Sequence, residues 1–309
     1  MSKHSAVLRL GLLVASLVAT HAPYARAQNE LRLKRAWVKK YADRASITVT
    51  MDVRKSHTTP HTISSSGNDG DLHFAGEADG VGLPFVAEVV NARGTAEKPA
   101  DAAIVAAWKN QTPIEVTGAW RLWFEHPADS QVQGGGSPFS PNTPNPDHSF
   151  EIHPVSRVGQ IDVGQSFTRI PGYTAYSADT AFPYFDKCRI VVKASHSGIS
   201  IRSKRVVYNY VTFEIALVEA PREVSDGRFV HATILGKDGD EATPKPRRMV
   251  FVRGTAAYDA AKNAVQGDHL TVLGIPRIDL SELLKMISKH GTEQFEAELP
   301  YEMIIVGVL

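Results

Sequence analysis

One cysteine in a chain of 309 residues rules out an intramolecular disulfide framework, so packing and hydrogen bonding must hold this protein together. Cys188 lies between Lys187 and Arg189 with no histidine near it in sequence, which fits a small buried side chain better than an activated thiol. An excess of either charge is also missing. The 34 Lys and Arg stand against 33 Asp and Glu, so there is no global field to grip a polyanion or an anionic membrane, and only a local patch would do so. No apolar run approaches the roughly 20 residues that cross a bilayer. The chain also has no Gly-x-Ser-x-Gly elbow and no Cys-x-x-Cys pair. Its pair His57 and His61 is interrupted by Pro60, which argues against a helix aligning the two rings and for an exposed loop.

What the chain does have begins with an export signal. Lys3 and Arg9 give a positive start, Leu10 to Thr20 an apolar run, and Ala25-Arg26-Ala27 a small-x-small cleavage site. The expectation is a secretory signal peptide over 1–27, cut after Ala27, with the remainder periplasmic or secreted. That leader carries Lys3, Arg9 and Arg26 and no acid, so the remainder is slightly acidic. About 280 residues remain, enough for two ordinary domains with real cores.

Short period-two runs recur along that remainder. In Ala45 to Val53 the residues Ile47, Val49, Met51 and Val53 share one face, the pattern of a half-buried strand. Similar runs span Leu83 to Val90, Ile114 to Phe124, Phe150 to Val158, Arg189 to Lys193, Tyr208 to Val218, Arg228 to Leu235, Arg248 to Arg253, His269 to Ile275 and Tyr301 to Val308. Three helices are predicted: Asp101 to Lys109 with Asp101 as its cap, Ala257 to Val265, and Asp279 to Lys289 stopped by Gly291. The Gly, Ser, Pro and Asn-rich stretch 131–147 reads as a flexible hairpin loop within one domain, and the turn-rich region 159–183 as the boundary. The fold class is therefore mostly β, two small OB-like barrels with a few short helices, divided into 28–163 and 164–309.

The first half holds Asn68-Asp-Gly-Asp-Leu-His73, Val116-Thr-Gly-Ala-Trp120 and Phe150-Glu-Ile-His-Pro-Val155. Over about residues 67 to 158 this set resembles a group of exported, largely uncharacterised bacterial proteins whose barrel carries an Asp-Gly-Asp-x-His segment and closes with a Glu-Ile-His-Pro-Val strand. The resemblance implies an OB-like barrel, a closed five-stranded sheet with a helix between its third and fourth strands. It brings no assigned chemistry to Asp71, His73, Glu151 or His153. From the residues themselves, Asp69, Asp71, His73, Glu151 and His153, with His126 or His148, make an N/O ligand set that zinc, manganese or nickel would accept. Glu151 and His153 are two apart on a strand and so share a face. The competing reading is a hydrogen-bonded polar cluster that holds a strand end and the Asp-Gly turn.

In the second half, Arg248 to Gly254, the helical Ala257 to Val265 and Gln266 to Pro276 follow in the order strand, helix, strand. Over about residues 228 to 278 this resembles the OB fold of single-stranded-DNA-binding proteins. The resemblance implies aromatic platforms and a basic groove, for which the candidates are Tyr208, Tyr210, Phe213, Phe229 and Phe251 with Lys245, Arg247 and Arg248. Core packing explains the same aromatics. Trp120, Trp123, Arg247 and Arg248 are the residues expected to meet a ligand on the barrel faces.

Three functions follow as expectations. The first is an exported, non-enzymatic binding or assembly module that presents a barrel face to an envelope partner or oligomeric ligand. The second is a metal-dependent hydrolase, a phosphodiesterase or nuclease, built on the His73 and His153 cluster with a divalent transition metal. The third is single-stranded nucleic-acid binding by the second half, which export and the lack of basic excess both oppose.

Overall fold

The computed structural model describes residues 29–64, 68–135, 139–166 and 170–309; the expected leader lies outside them. A strand β1 (Asn29–Lys34) and a short helix α1 (Arg35–Tyr41) lead into β2 (Ser46–Ser56), β3 (Leu72–Glu77), β4 (Phe85–Val89), α2 (Lys98–Asn110), β5 (Ile114–His126), β6 (Ser130–Val132) and β7 (His148–Val158). Then come β8 (Ile161–Asp162), β9 (Tyr176–Ser177), α3 (Ala178–Phe185), β10 (Arg189–Ala194) and β11 (Gly198–Ser203). The chain finishes with β12 (Val211–Leu217), β13 (Arg222–Val224), β14 (Gly227–Leu235), β15 (Arg247–Val252), α4 (Ala256–Ala260), β16 (His269–Ile278), α5 (Leu280–His290), β17 (Phe295–Glu298) and β18 (Tyr301–Val308).

Two sheets close into five-stranded barrels. In the first, β4, β3, β2, β5 and β7 are hydrogen-bonded in that order and β7 returns to β4. In the second, β14, β15, β18, β16 and β12 follow each other and β12 returns to β14. Numbered along the chain, each barrel runs one, two, three, five, four and back to one, with a helix between its third and fourth strands. That is the OB topology expected from the strand and helix order.

The alternation in β2 is the expected one: Ile47, Val49, Met51 and Val53 are buried while Thr48, Thr50, Asp52 and Arg54 face water. Helix α2 buries Ala100, Ile104 and Ala107 at helical spacing against the barrel. It begins three residues before the predicted start, with Pro99 in its first turn, so Asp101 sits inside the helix and does not cap it. Burial, reinforced by the Glu97 carboxylate, pushes Asp101 up to about 7. Helix α5 has its expected cap, since the Asp279 side chain accepts from the Glu282 backbone N–H at 2.9 Å, and Gly291 ends it with φ 64°.

A third sheet, ordered β17, β10, β11, β1, β6, laces the two barrels together. Its outer strands are equivalent pieces, because β6 and β17 both come from a connection between the fourth and fifth strands of a barrel. The stretch predicted as a flexible loop has structured first residues: Gln131 is buried, and its side chain accepts from Ser149 N–H at 2.8 Å.

The barrels meet through their fourth strands, β5 and β16. Arg121 of β5 donates from Nε to Pro276 O at 3.0 Å, and Arg277 of β16 donates to Trp120 O at 3.0 Å, Ala45 O at 3.1 Å and Arg44 O at 3.1 Å. Each guanidinium is neutralised by a glutamate on the fifth strand of its own barrel, Glu151 and Glu302 respectively. Glu302 also pairs with Arg248. Because Glu302 is the shared counter-ion of two buried arginines, Glu302→Ala is expected to cost about 3–5 kcal/mol in urea unfolding.

Asp101 supplies a pH test. The folded chain holds its proton to about pH 7, whereas the ordinary value is 3.8, so its contribution to stability declines as pH rises between those values. Asp101→Asn is therefore expected to raise the denaturation midpoint relative to the parent at pH 8 and to leave it unchanged near pH 4.

Candidate functional site

Four neighbouring strands of barrel one carry a row of ionisable residues on the barrel's outer face. Residue His73 on β3 pairs in register with Glu88 on β4. Strands β4 and β7 run parallel with Val86 opposite Glu151, which brings Glu88 level with His153. Arg121 on β5 is opposite Glu151. The Asp-Gly-Asp turn delivers Asp69 and Asp71 to one end of this row. Gly70 has φ 79° there, and a Cβ on it would lie 2.7 Å from the Ile63 side chain, so the turn requires glycine.

The contacts form a continuous network. The ring Nε2 of His73 lies 2.8 Å from Asp71 Oδ2 and 3.1 Å from Glu88 Oε1. The other Glu88 oxygen lies 3.1 Å from His153 Nδ1, which is also 3.3 Å from Glu151 Oε2. His153 reaches the Tyr210 hydroxyl through Nε2 at 2.9 Å, and His148 Nε2 meets Glu151 Oε1 at 2.8 Å. Arg121 closes the row by donating to Glu151 and, at 2.8 Å, to Glu125.

Removed from water, these groups shift strongly. Burial alone would neutralise Asp71, but hydrogen bonds from His61 and His73 hold it well below the carboxylate range. Against the same burial, Glu88 and Asp71 hold His73 well above its ordinary value, and Glu88 with Glu151 raises His153. Glu88 and Glu151 are lowered despite burial, the first by His153 and His73, the second by Arg121 and its two histidines. Asp69 goes the other way. Burial, with the Asp71 and Glu88 charges, pushes it up to about 7. Cationic histidines thus alternate with anionic carboxylates along the row.

This network forms one wall of a cavity of about 350 Å³. Tyr173, Tyr176, Tyr208 and Tyr210 also line it, with Tyr176 and Tyr208 in edge contact at 4.6 Å, and so does Arg205. Asn145, from the loop between β6 and β7, and Asn209, from the segment leading into β12, also line it. Each has a buried amide oxygen with no hydrogen-bond partner among the described residues. The cavity lies over the second and third strands of the barrel, flanked by the connections between its first and second and its fourth and fifth strands. OB barrels take their ligands at that location.

Of the expected metal ligands, Asp71, His73, Glu151 and His153 come together, and Asp69 is buried beside Asp71. Among the described residues, donor atoms within 4.8 Å of one another form three sets: His57, His61 and His73; Asp71, His73 and Glu88; Glu88, Glu151 and His153. His148 supports Glu151, and His126 stacks on His148 with ring centroids 5.5 Å apart. Sequence reasoning missed Glu88, although a lone acid inside the apolar run Leu83 to Val90 was the signal for it. Arg121, inside Gly118 to Phe124, was the same kind of signal.

The expected ligand-facing residues need correction. Trp120 is buried with its Nε1 donating to Arg44 O at 2.7 Å and the Arg277 guanidinium 3.6 Å from its ring centroid. Trp123 is buried against Phe185. Arg247 pairs with Asp186 over the Tyr301 ring, and Arg248 pairs with Glu302 and Asp279. All four are buried, so they present no exposed face to a ligand, although Trp123 Nε1 and Arg247 Nε have no hydrogen-bond partner among the described residues. Tyr210, Phe213, Phe229 and Phe251 are likewise buried, which matches the core-packing reading of those aromatics.

No known protein family and no curated protein sequence matches the chain. Among solved structures it is similar to a murine DNA-binding protein bound with double-stranded DNA, at 12% identity over 84% of this chain and 98% of that one, with a TM-score of 0.18. A score that low carries no argument. No helix among the described residues is long and apolar enough to cross a membrane.

Glu88 is the counter-ion common to His73 and His153. Glu88→Ala is expected to lower the unfolding free energy by about 3–5 kcal/mol, read from urea denaturation, because it leaves two buried cationic rings short of a partner.

Proposed function

We propose that this chain is an exported, non-enzymatic binding module that receives an oligomeric envelope ligand in the cavity on the outer face of barrel one. The observation that carries the reading is the pair of unpartnered buried amide oxygens, on Asn145 and Asn209, lining a cavity at the ligand-binding location of an OB barrel. Amide oxygens and carboxylates accept hydrogen bonds, so they favour a ligand that donates them. The tyrosines favour one with a flat apolar face, and the carboxylates Asp71, Glu88, Glu125 and Glu151 are already paired with histidines and Arg121, with Arg205 also at the lining, so the cavity carries no large excess of either charge and suits a ligand without strong charge. A neutral or amine-bearing oligosaccharide has this chemistry. Export rests on the leader ending at Ala27.

A second reading, a metal-dependent hydrolase, draws on one feature: Glu88 belongs to two donor sets at once, as a carboxylate bridging two cations would. It ranks second because the donor atoms of those two sets already satisfy one another by hydrogen bonds and ion pairs.

The test is thermal denaturation in chelator-containing buffer with neutral oligosaccharides, amino-oligosaccharides and oligothymidylate, alongside cell fractionation of the tag-free chain. A saccharide present at about a hundredfold over its Kd is expected to stabilise by about 2.7 kcal/mol, and Tyr208→Ala is expected to abolish the shift. Stabilisation by oligothymidylate and by no saccharide, or retention of the chain in the cytoplasm, overturns the reading.

A further inference from the structure

The histidine pair that Pro60 keeps out of a helix is nonetheless brought together. His57 N–H donates to His73 O at 3.0 Å and His61 N–H donates to Asp71 O at 2.8 Å. The four-residue step from His57 to His61 is thereby hung on the two-residue step from Asp71 to His73. The extra residues bulge outward, and both rings fall beside His73. The centroids of His57 and His61 are 4.3 Å apart, and they lie 5.4 Å and 5.3 Å from that of His73. One ring nitrogen from each comes within 4.8 Å of the others.

Asp71 orients two of these rings. Its Oδ1 lies 2.8 Å from His61 Nδ1, and its Oδ2 lies 2.8 Å from His73 Nε2. A ring that gives one nitrogen to a carboxylate presents the other as a donor to a metal. For His61 that atom is Nε2. For His73, whose Nε2 is engaged by Asp71 and Glu88, it is Nδ1, which binds a metal once the metal has displaced its proton, and this nitrogen is buried with no partner among the described residues. His73 is about nine-tenths buried, so its unpartnered nitrogen is a second observation, independent of the clustering, that points to a ligand.

We propose that His57, His61 and His73 form a binding site for a divalent transition metal of the zinc class, with Asp71 as the residue that positions two of the three rings. Three imidazoles select zinc, nickel or copper over calcium and magnesium, which prefer oxygen. Tetrahedral zinc holds nitrogens at about 2.0–2.1 Å, hence roughly 3.4 Å from one another. His57 and His61 are only partly buried and close that distance by side-chain rotation. His61 and His73 line the cavity, so the fourth coordination position opens into it. The site shares His73 with the set of Asp69, Asp71, His73, Glu151 and His153 but takes its other two ligands, His57 and His61, from outside it, and it stands independently of the oligosaccharide reading, whose test is run with chelator present.

The experiment is titration of cobalt(II), then zinc, into the chelator-stripped chain made without a histidine tag, followed by the visible absorption of tetrahedral cobalt. One cobalt per chain, displaced by one zinc, is expected. His57→Ala and His61→Ala are each expected to remove the band, Asp71→Asn to weaken binding about 10–100-fold, and His269→Ala, at an exposed position on β16 away from the site, to leave it in place. The half-exposed positions of His57 and His61 predict unchanged circular dichroism. His57→Gln gives the same reading with a side chain of similar size should the alanine variant unfold. No tetrahedral band in the parent chain, or a band that survives in the His57→Ala, His61→Ala double variant, overturns the proposal.

Discussion

Two buried guanidinium groups exchanged across the barrel interface set the geometry on which the rest depends. Arg121 reaches from barrel one to the backbone of β16, and Arg277 reaches from barrel two to the backbone of Arg44, Ala45 and Trp120. A buried guanidinium must be neutralised and its N–H groups satisfied, and backbone carbonyls of the other barrel can do so in only one relative placement. The flat face of Arg277 over Trp120, 3.6 Å from its centroid, adds a cation–π contact to the same constraint. This exchange holds β5 against β16, and with them the segment that carries Asn209 and Tyr210 over the outer face of barrel one.

The same exchange explains why the two barrels, alike in topology, differ chemically. Each has an arginine on its fourth strand facing a glutamate on its fifth. In barrel two, Glu302 is closed from both sides by Arg277 and Arg248, and the cluster is complete in itself. In barrel one, Glu151 meets Arg121 on one side and histidines on the other, and those histidines lead through Glu88 to Asp71. Arginine remains charged and leaves no lone pair, so barrel two's cluster is a fixed strut. Histidine can give up a proton or accept a cation, so barrel one's cluster retains chemical capacity.

Legibility followed the range of the forces involved. The period-two runs were readable because alternation is imposed by the strand itself, and the helix ended by Gly291 because its start and stop signals are local. Asp101 misled as a cap because the first turn of α2 is set by Pro99 and by packing of Ala100 on the barrel, and a nearby acid without those contacts looks the same. Trp120, Trp123, Arg247 and Arg248 have the composition of a binding face, and nothing local distinguishes an exposed platform from an interface between two parts of one chain. Their burial follows from docking of the barrels and from the third sheet, which are contacts between residues far apart in sequence.

The sequence by itself determined that this is a mostly β chain of two OB-like barrels, because strand alternation, turn residues and the helix between third and fourth strands are all encoded within a few residues of where they act. It also marked the polar residues of the Asp-Gly-Asp-x-His and Glu-Ile-His-Pro-Val segments as belonging to one site. Only the tertiary structure decided that Glu88 stands between His73 and His153, that the Pro-interrupted pair His57 and His61 joins His73, and that the tryptophans and arginines expected at a binding face are spent inside. The physical reason is register. A barrel closes by pairing strands more than 50 residues apart, such as β4 and β7 with Val86 opposite Glu151, and that pairing selects which charges become neighbours in a medium where a charge without a partner is not tolerated.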